Sequence, residues 1–514
     1  VGARPERPTV ATLLAGAGYQ TAAFVGAFVL NRQFGLAAGF TTYDDEVRRD
    51  PEAADRLEAE RPGADVAGRA AAWLSAPERR AAGAAPFFVW MHLYDPHAPY
   101  APAAACRGAA ASAYDGEVAC ADRAVAQVID ALTASGQLAR TLVIVAGDHG
   151  EGLGDHGEAT HGMLLFDSTL RVPLVVSGPG IPAGTRNDPV SLVDIAPTLL
   201  TSAGIAVPTA MTGAALTKAV PDREIYSETD YPRVAGWSPL RALTDGRWSL
   251  VRAGAHAHLF DVHADAAQAT DVAATQAGVA KGMSARIDTI EAAGSAKNPS
   301  APISADAEER LRALGYVAGA SAPVVSNAPD PAMRIADWNG FEQALGELQQ
   351  RRPSALAALA RIATANPDGL VFHATSARAL KDAGQMQAAV EAYRRAASRW
   401  PTDASLMHDL AAAAGDAADA ESAAGRTAQA RPLREEAIKA ERAAIALAPT
   451  LARAHNGLGL QLAATGQDRD AAAAFEKAAT LDPSNASYWT NVGNASRAVG
   501  NLAAAERHYR HALE

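Results

Sequence analysis

The stretch "TLVIVAGDHGEGLGDHGEATHG", residues 141–162, joins an apolar run to a glycine-rich segment that carries three His, two Asp and two Glu. A continuous apolar run of this kind is typical of a strand that is covered on both faces of a parallel sheet. Open α/β sheets place their functional groups at the carboxyl ends of such strands. The stretch therefore predicts an α/β domain with a functional site at the end of this strand.

Asp148 and His149 stand directly at the predicted strand end. Asp offers a hard oxygen ligand and His a borderline nitrogen, so both side chains can face one divalent cation. The surrounding glycines let the backbone turn closely around such a site. We therefore predict that Asp148 and His149 bind a metal ion. The alternative interpretation is a glycine-rich loop with solvated side chains.

Strand and helix patterns alternate through the first 260 residues. After Pro221 the pattern changes to short strands with a hairpin turn at Asp245-Gly246. Such alternation predicts a three-layer α/β sandwich with a mostly parallel sheet, followed by a small antiparallel sheet. The predicted strands of the main sheet cover 21–30, 85–94, 141–148 and 172–178, and the predicted helices cover 9–19, 112–136 and 192–204.

From about residue 331 the sequence is helical in pattern and rich in Ala. Pro367, Pro401, Pro449 and Pro483 recur in steps of 34, 48 and 34 residues. This period resembles the tetratricopeptide repeat, a helix-turn-helix unit of about 34 residues that stacks into a solenoid. The longer step predicts an insertion near residues 416–431, and the aromatics of the repeats are predicted to pack in the repeat core.

These patterns divide the chain into an α/β domain (1–265), a linker with a helical patch at 306–317 (266–330) and an all-α repeat solenoid (331–514). The formal net charge is −11 and there is no basic tract, so nucleic acid is not an expected partner. No apolar run is long enough to span a bilayer. Cys106 and Cys120 could pair across a loop, but two cysteines alone do not indicate the redox compartment of the protein.

Four stretches, taken together and in order, resemble the sulfatase family of the alkaline phosphatase superfamily over residues 8–265. The resemblance implies hydrolysis of a sulfate ester on a sulfated small molecule or glycan. It also implies one divalent ion, Ca²⁺ first, with Mn²⁺ or Mg²⁺ as alternatives. The stretches are "PFFVWMHLYDPHAPY" (86–100), "GDHGEGLGDHGEATHG" (147–162), "LRVPLVVSGPG" (170–180) and "VSLVDIAPTLL" (190–200). Two further stretches agree in the same order, "PTVATLLAGAGYQTAAFVGAFVLNRQFGLAAGF" (8–40) before them and "LRALTDGRWSLV" with "HLFDV" (240–251 and 258–262) after them.

The resemblance also assigns roles to residues. Asp148 matches a metal-binding Asp of the family, and His149 follows it where members carry Asn or His. His97 matches an active-site His that contacts the transferred group or the leaving oxygen. His161 lies where many members have a Lys that binds a sulfate oxygen. The resemblance thus implies a metal pair of Asp148 and His149 and catalytic roles for His97 and His161.

Other family elements do not appear in this sequence. Members carry early acidic metal ligands and a Cys or Ser that is matured to formylglycine, both upstream of the segment that matches 9–19. We therefore expect the sequence to begin after them, and this fragment to be inactive alone. The segment that would decide export or membrane tethering is expected to be missing as well.

Residues 26–29 read Gly-Ala-Phe-Val where many members have Gly-Lys-x-His. Together with His149, this keeps open a phosphodiesterase, a phosphonate monoester hydrolase or a phosphoryl transferase of the same superfamily, acting on a phosphorylated substrate. A third hypothesis is a non-catalytic scaffold with a degenerate sulfatase-like domain. The repeats predict a protein or peptide partner in each case.

Several nearby polar residues are predicted to have structural rather than catalytic roles. His92 is predicted to be a satisfied core histidine, because it lies on an apolar strand. His156 and Glu158 are predicted to shape the rim of the pocket. The acids at the start of the 112–136 helix, among them Glu117, are predicted to favour the positive end of the helix dipole.

Overall fold

The computed structural model describes residues 8–47, 61–294 apart from 82, 109 and 221, residue 325, and 327–513 apart from 484. The chain divides into two compact units. Of the described residues, the first unit holds 8–230, 239–294 and 330–332, and the second holds 231–238, 325, 327–329 and 333–513. No helix in these ranges has the length and apolar character that a membrane span needs.

The first unit contains the predicted parallel sheet, in the order β2-β1-β3. Both outer strands run parallel to β1, which is the buried centre of the sheet. The parallel sheet of the predicted fold class is thereby confirmed. Its elements are α1 (Val10–Gly16), β1 (Gln20–Val25), β2 (Thr42–Asp44), α2 (Gly63–Ser75), α3 (Pro77–Arg80) and β3 (Phe87–His92).

The first strand is shorter than predicted. It ends at Val25, and residues 28–30 form a turn of 3₁₀ helix instead of continuing the strand. At Gly26 a Cβ atom would lie 3.2 Å from the backbone oxygen of His92, so the end of β1 approaches the end of β3 very closely. The apolar character of residues 27–30 is explained by packing, since Leu30 contacts the core beside β1.

The chain then forms the predicted long helix and a second pair of strands. The elements are α4 (Ala104–Arg107), α5 (Ala113–Ala134), β4 (Val143–Ala146), α6 (Asp167–Leu170), β5 (Leu174–Ser177) and α7 (Ile195–Ser202). Cys106 of α4 and Cys120 of α5 form a disulfide, which answers the question that the sequence left open.

β4 and β5 pair antiparallel, whereas their continuous apolar runs suggested parallel strands covered on both faces. The prediction was wrong for this pair, because an apolar run reports burial and carries no information about strand direction. The faces are also only partly covered by the described residues. Val145 is 36% exposed and Val175 is 59% exposed.

The predicted antiparallel sheet is present, in the order β6-β7-β8-β9. Its strands are β6 (Ile225–Thr229), β7 (Leu240–Thr244), β8 (Trp248–Ala253) and β9 (His256–Asp261). Asp245-Gly246 forms the predicted turn, with a positive φ of 92° at Gly246. An unpredicted helix, α8 (Ala277–Gly294), packs on this sheet through Met283 and Ile287. The helical patch predicted at 306–317 lies outside the described residues.

The second unit consists mainly of helices in which each packs against the next. They are α9 (Ile335–Gln349), α10 (Ser354–Ala365), α11 (Leu370–Asp382), α12 (Met386–Arg399), α13 (Ala404–Ala423), α14 (Thr427–Leu447), α15 (Ala452–Ala463), α16 (Asp468–Leu481), α17 (Ala486–Ala498) and α18 (Leu502–His511). The predicted insertion lengthens α13 and α14 to 20 and 21 residues rather than forming a loop.

The helix pairs of this unit pack in the same way, as repeats require. A Cβ on Gly459 would lie 2.6 Å from the ring of Phe475, and one on Gly493 would lie 2.5 Å from the ring of Tyr509. Both pairs have the same sequence spacing, and Tyr393 is buried at the corresponding position two repeats before Phe475. The aromatics therefore pack on small residues of the preceding helix, and this helical region fits a repeat architecture.

Residues 231–238, which connect β6 to β7 in the sequence, belong to the second unit. Trp237 is 2% exposed and its Nε1 donates a hydrogen bond of 3.1 Å to Oδ1 of Asn366. The centroid of its ring lies 6.0 Å from that of Phe372. No pattern in the sequence indicated that this short segment packs among the helices of the repeat region.

Candidate active site

The glycine-rich loop after β4 folds back on itself through close backbone contacts. A Cβ on Gly150 would lie 2.1 Å from the backbone oxygen of Ser168, and one on Gly152 would lie 2.4 Å from that of Glu158. Oε1 of Glu158, whose residue is 1% exposed, accepts hydrogen bonds from the backbone N–H groups of Met163 (2.7 Å) and Leu164 (3.1 Å). Glu158 therefore holds the loop closed and does not line a rim, so that prediction was wrong.

Loop closure brings three predicted histidines together. The ring centroids of His149 and His161 lie 4.1 Å apart, and those of His97 and His161 lie 5.5 Å apart. His97 reaches the cluster from the loop after β3, whereas the other two belong to the loop after β4. The imidazole cluster thus joins the carboxyl ends of two strands, which is where an open α/β sheet places its site.

Asp148 and His149 are arranged as two ligands of one cation could be. Oδ2 of Asp148 lies 3.9 Å from Nε2 of His149, and bonds of about 2–2.5 Å from a cation between them span that distance. His149 Nδ1 lies 2.9 Å from the backbone oxygen of Gly150, which orients Nε2 as the coordinating nitrogen. Among the described residues, however, no three His, Cys, Asp or Glu side chains group in a way that could hold a metal. The pair fits a divalent cation as part of a larger ligand set.

Glu151 is a member of the site that the sequence analysis missed. Its side chain is 5% exposed, and its Oε1 lies 3.1 Å from Nδ1 of His161. Burial by itself would raise the pKa of Glu151, but the hydrogen bond and charge of His161 outweigh it, so the pKa is lowered. Glu151 is thus a carboxylate that orients His161. Its place three residues after Asp148 is the signal that could have indicated a role.

The ring of His97 is held by two neighbours. Its Nδ1 donates to the backbone oxygen of Ala98 at 2.7 Å, and its Nε2 lies 3.2 Å from the hydroxyl of Tyr94. The rings of Tyr94 and His97 stack with centroids 4.3 Å apart. Tyr94 was not predicted. An aromatic residue three positions before His97 in the same turn is the only local signal for it.

Glu117 does not act through the helix dipole as predicted. It lies beyond the first turn of α5 and its carboxylate is buried, with 6% of the residue exposed. Oε2 accepts from the backbone N–H of His97 at 3.0 Å, and Oε1 accepts from that of Ala101 at 2.6 Å. The carboxylate therefore binds the backbone of the loop that carries His97.

The structure corrects two further predictions for histidines. Nδ1 of His92 is buried and has no hydrogen-bond partner among the described residues, so His92 is not a satisfied core histidine. Burial lowers the pKa of His92, and the negative charge of Asp148 offsets part of that effect. His156 packs on Phe166 with ring centroids 3.5 Å apart and contributes to the core rather than to a rim.

Parts of the chain are similar to known sulfatases. Residues 1–205 match the family model described as Sulfatase, and residues 154–292 match that described as N-sulphoglucosamine sulphohydrolase, C-terminal. The choline-sulfatase of Rhizobium meliloti (strain 1021) is 33% identical over 167 residues, which are 31% of this chain and 32% of that protein. Arylsulfatase K of Homo sapiens is 40% identical over 96 residues, which are 18% of each chain.

A solved structure of a 2-O GAG sulfatase has 19% sequence identity and a TM-score of 0.45, and the match covers 60% of this chain and 79% of that chain. The chain spans about a third of the length of the choline-sulfatase and less than a fifth of that of arylsulfatase K.

Proposed function

Because residues 1–292 carry a sulfatase-family domain, we propose that this protein hydrolyses sulfate esters. The observation that carries the proposal is the packing of His97, His149 and His161 at the ends of β3 and β4. Imidazole N–H groups at fixed positions stabilise the charge that develops on the sulfuryl oxygens and on the leaving oxygen. The curated relatives described above carry sulfatase names, which supports this substrate class.

Each histidine has a distinct role in this proposal. Glu151 accepts a hydrogen bond from Nδ1 of His161, so Nε2 of His161 is the nitrogen that contacts a sulfate oxygen. Ala98 occupies Nδ1 of His97 in the same way, and Nε2 of His97 exchanges a proton with the leaving oxygen. As a nucleophile bonds to sulfur, the bond between sulfur and the leaving oxygen breaks. In this step Nε2–H of protonated His97 gives its proton to the leaving oxygen, and Nε2–H of protonated His161 donates a hydrogen bond to a sulfate oxygen.

The same proposal assigns a divalent cation, Ca²⁺ first, with Mn²⁺ or Mg²⁺ as alternatives, to Asp148 and His149. When bound, such an ion polarises an ester oxygen as a Lewis acid. Further ligands and a formylglycine nucleophile would come from residues outside those described. Among the residues that the structure describes, Nδ1 of His92 has no hydrogen-bond partner, which supports a site that further groups complete.

A substrate panel tests the proposal. We expect turnover of 4-nitrophenyl sulfate or choline sulfate by a polypeptide that also carries the formylglycine nucleophile, with divalent cation present, and its loss when a chelator removes the cation. Preferential hydrolysis of a phosphate diester or phosphonate monoester would favour the alternative of a phosphodiesterase or phosphonate monoester hydrolase. His149 is the residue that supports this alternative. Absence of hydrolysis of every ester by that polypeptide would favour the scaffold hypothesis.

The helical region at 335–511 has a separate proposed role in binding a protein or peptide through tetratricopeptide-like repeats. Its support is the recurring contact between an aromatic ring and a small residue, seen at Gly459 and Phe475 and again at Gly493 and Tyr509. Stacked helix pairs of this type form an extended surface that suits a peptide. Pull-down with the full chain and with a variant lacking α17 and α18 tests this role.

A further inference from the structure

The first half of α5 contacts the loop that carries His97 at three successive points. At Glu117, a single buried carboxylate accepts hydrogen bonds from two backbone N–H groups of the loop, those of His97 and Ala101. Removing a carboxylate from water costs free energy, and charge-assisted hydrogen bonds to both of its oxygens offset that cost. Both oxygens of this buried group are thus committed to one short segment.

The second and third contacts flank Glu117 on the helix. At Gly116 a Cβ would lie 2.8 Å from Cγ of Pro102, so α5 and the loop approach more closely than any side chain at 116 would allow. One turn further on, Cys120 forms the disulfide with Cys106. Residues 97–106 are therefore fixed to α5 at both of their ends.

We propose that Glu117 is a positioning residue that sets the place and the tautomer of the His97 imidazole. The backbone N–H of His97 is bound to Glu117, and its Nδ1–H is directed at the next carbonyl, that of Ala98, at 2.7 Å. A shift of the backbone at His97 moves its N–H and its imidazole together. The imidazole then no longer stacks on the ring of Tyr94. The functional meaning of the inference rests on the catalytic role proposed for His97, but the geometry does not.

Hydrogen exchange of the native protein is the first test, and it requires no variant. The backbone amides of His97 and Ala101 lie outside helices and strands, yet we expect their exchange to be slower than in an unstructured peptide by at least about 100-fold. Exchange of both amides at the rate of an unstructured peptide would overturn the proposal.

The second test compares Glu117→Gln with Asp122→Asn, an exposed acid on the same helix that loses the same charge. Gln keeps the length but has one acceptor oxygen, so one loop amide loses its partner. We expect the ring ¹⁵N signals of His97 to move toward a mixture of tautomers in Glu117→Gln alone, while those of His258 stay in place. Unchanged His97 signals, or equal changes in every histidine, would refute a positioning role.

Turnover separates this inference from the proposed function. If the protein hydrolyses a sulfate ester, Glu117→Gln should lower kcat about 10-fold or more with a small change in KM, and Asp122→Asn should change neither. If no ester is hydrolysed, the proposed function fails while the exchange and tautomer results still decide the role of Glu117. If Glu117→Gln does not fold, the exchange rates of the native amides decide it.

Discussion

The imidazole rings of His149 and His161 lie with their centroids 4.1 Å apart and their planes tilted by 31°, although a glycine-rich loop separates them in the chain. Glu151 within that loop accepts a hydrogen bond from His161, and Glu158 closes its far end. One contiguous segment thus supplies the candidate metal pair, the histidine proposed to contact a sulfate oxygen and the carboxylate that orients that histidine. The loop after β3 adds one more imidazole, that of His97.

Substituting His161 tests its predicted contact with a sulfate oxygen. We expect His161→Ala to lower kcat by about 10²–10³-fold, since it removes a donor that acts on charge in the transition state. His161→Lys should retain most of the activity, because an ammonium group can make the same contact. The measurement is turnover of 4-nitrophenyl sulfate by a polypeptide that also carries the formylglycine nucleophile, with the exposed His263→Ala as control. Equal activity of His161→Ala and the wild type would show that His161 only packs in the loop.

Local sequence information was sufficient for part of this site. A strand pattern followed by Gly, Asp and His places Asp148 and His149 at the strand end without knowledge of the rest of the fold. The start of the first helix at Thr9 was also predictable from local sequence. The side chain of Thr9 accepts a hydrogen bond from the backbone N–H of Thr12, as an N-cap residue does. These features depend on neighbours within a few residues.

Features that depend on distant partners were not predictable in the same way. The direction of β5 relative to β4 depends on how the intervening loop closes. An apolar run carries no information about strand direction. The pairing of Glu117 with the amide of His97 joins residues of two different elements. The membership of Trp237 in the repeat unit is likewise visible only once Asn366 and Phe372 are placed beside it.

We expect the ion pairs of His258 to make the free energy of unfolding depend on pH. Its Nε2 lies 2.8 Å from Oδ2 of Asp330 and its Nδ1 lies 2.9 Å from Oδ2 of Asp271. The hydrogen bond with Asp330, opposed by burial and aided by Asp271, raises the pKa of His258 to about 9. Since the folded pKa exceeds the value of about 6.5 in an unfolded chain, the stabilisation is complete below pH 6.5 and is lost as the pH rises through 9.

We expect His258→Gln to lower the free energy of unfolding by about 1–2 kcal/mol at pH 6, a figure reduced for the solvent screening of a partly exposed group. At pH 10 the variant and the wild type should differ little, because the wild-type imidazole is then neutral. Thermal melts at both pH values measure this, with His263→Gln as the exposed control. A difference of equal size at both pH values would contradict the assigned charge.

Because Trp237 is buried and donates a hydrogen bond to Asn366, we expect residues 231–238 to stabilise the repeat region. Trp237→Ala removes a buried indole from Phe372 and leaves Oδ1 of Asn366 without this donor, so we expect a loss of about 3–5 kcal/mol. Trp237→Phe should cost less, since it keeps most of the ring contact and loses the N–H. Residues 331–514 alone should form a helical protein that melts cooperatively, and a peptide of residues 229–240 should raise its Tm. A peptide that leaves the Tm unchanged would argue against this contribution.

Metal binding by the described pair should be weak. Asp148 and His149 offer two ligands, whereas Ca²⁺ seeks six to eight oxygens and a transition ion about six donors. Water must fill the remaining positions, and it holds an ion no better than bulk solvent does. We therefore expect this chain to bind Ca²⁺ or Mn²⁺ with dissociation constants on the order of millimolar, measured by isothermal titration calorimetry.

The matched variants decide which residues are responsible for that binding. Asp148→Ala should abolish the titration signal, because it removes the hard oxygen and the negative charge that attract the dication. Asp155→Ala removes a partly exposed carboxylate of the same loop and should leave the affinity unchanged. His149→Ala should weaken Mn²⁺ more than Ca²⁺, since imidazole suits a transition ion better than an alkaline-earth ion. Equal affinity of Asp148→Ala and the wild type would place the cation elsewhere and would remove the basis for the metal pair.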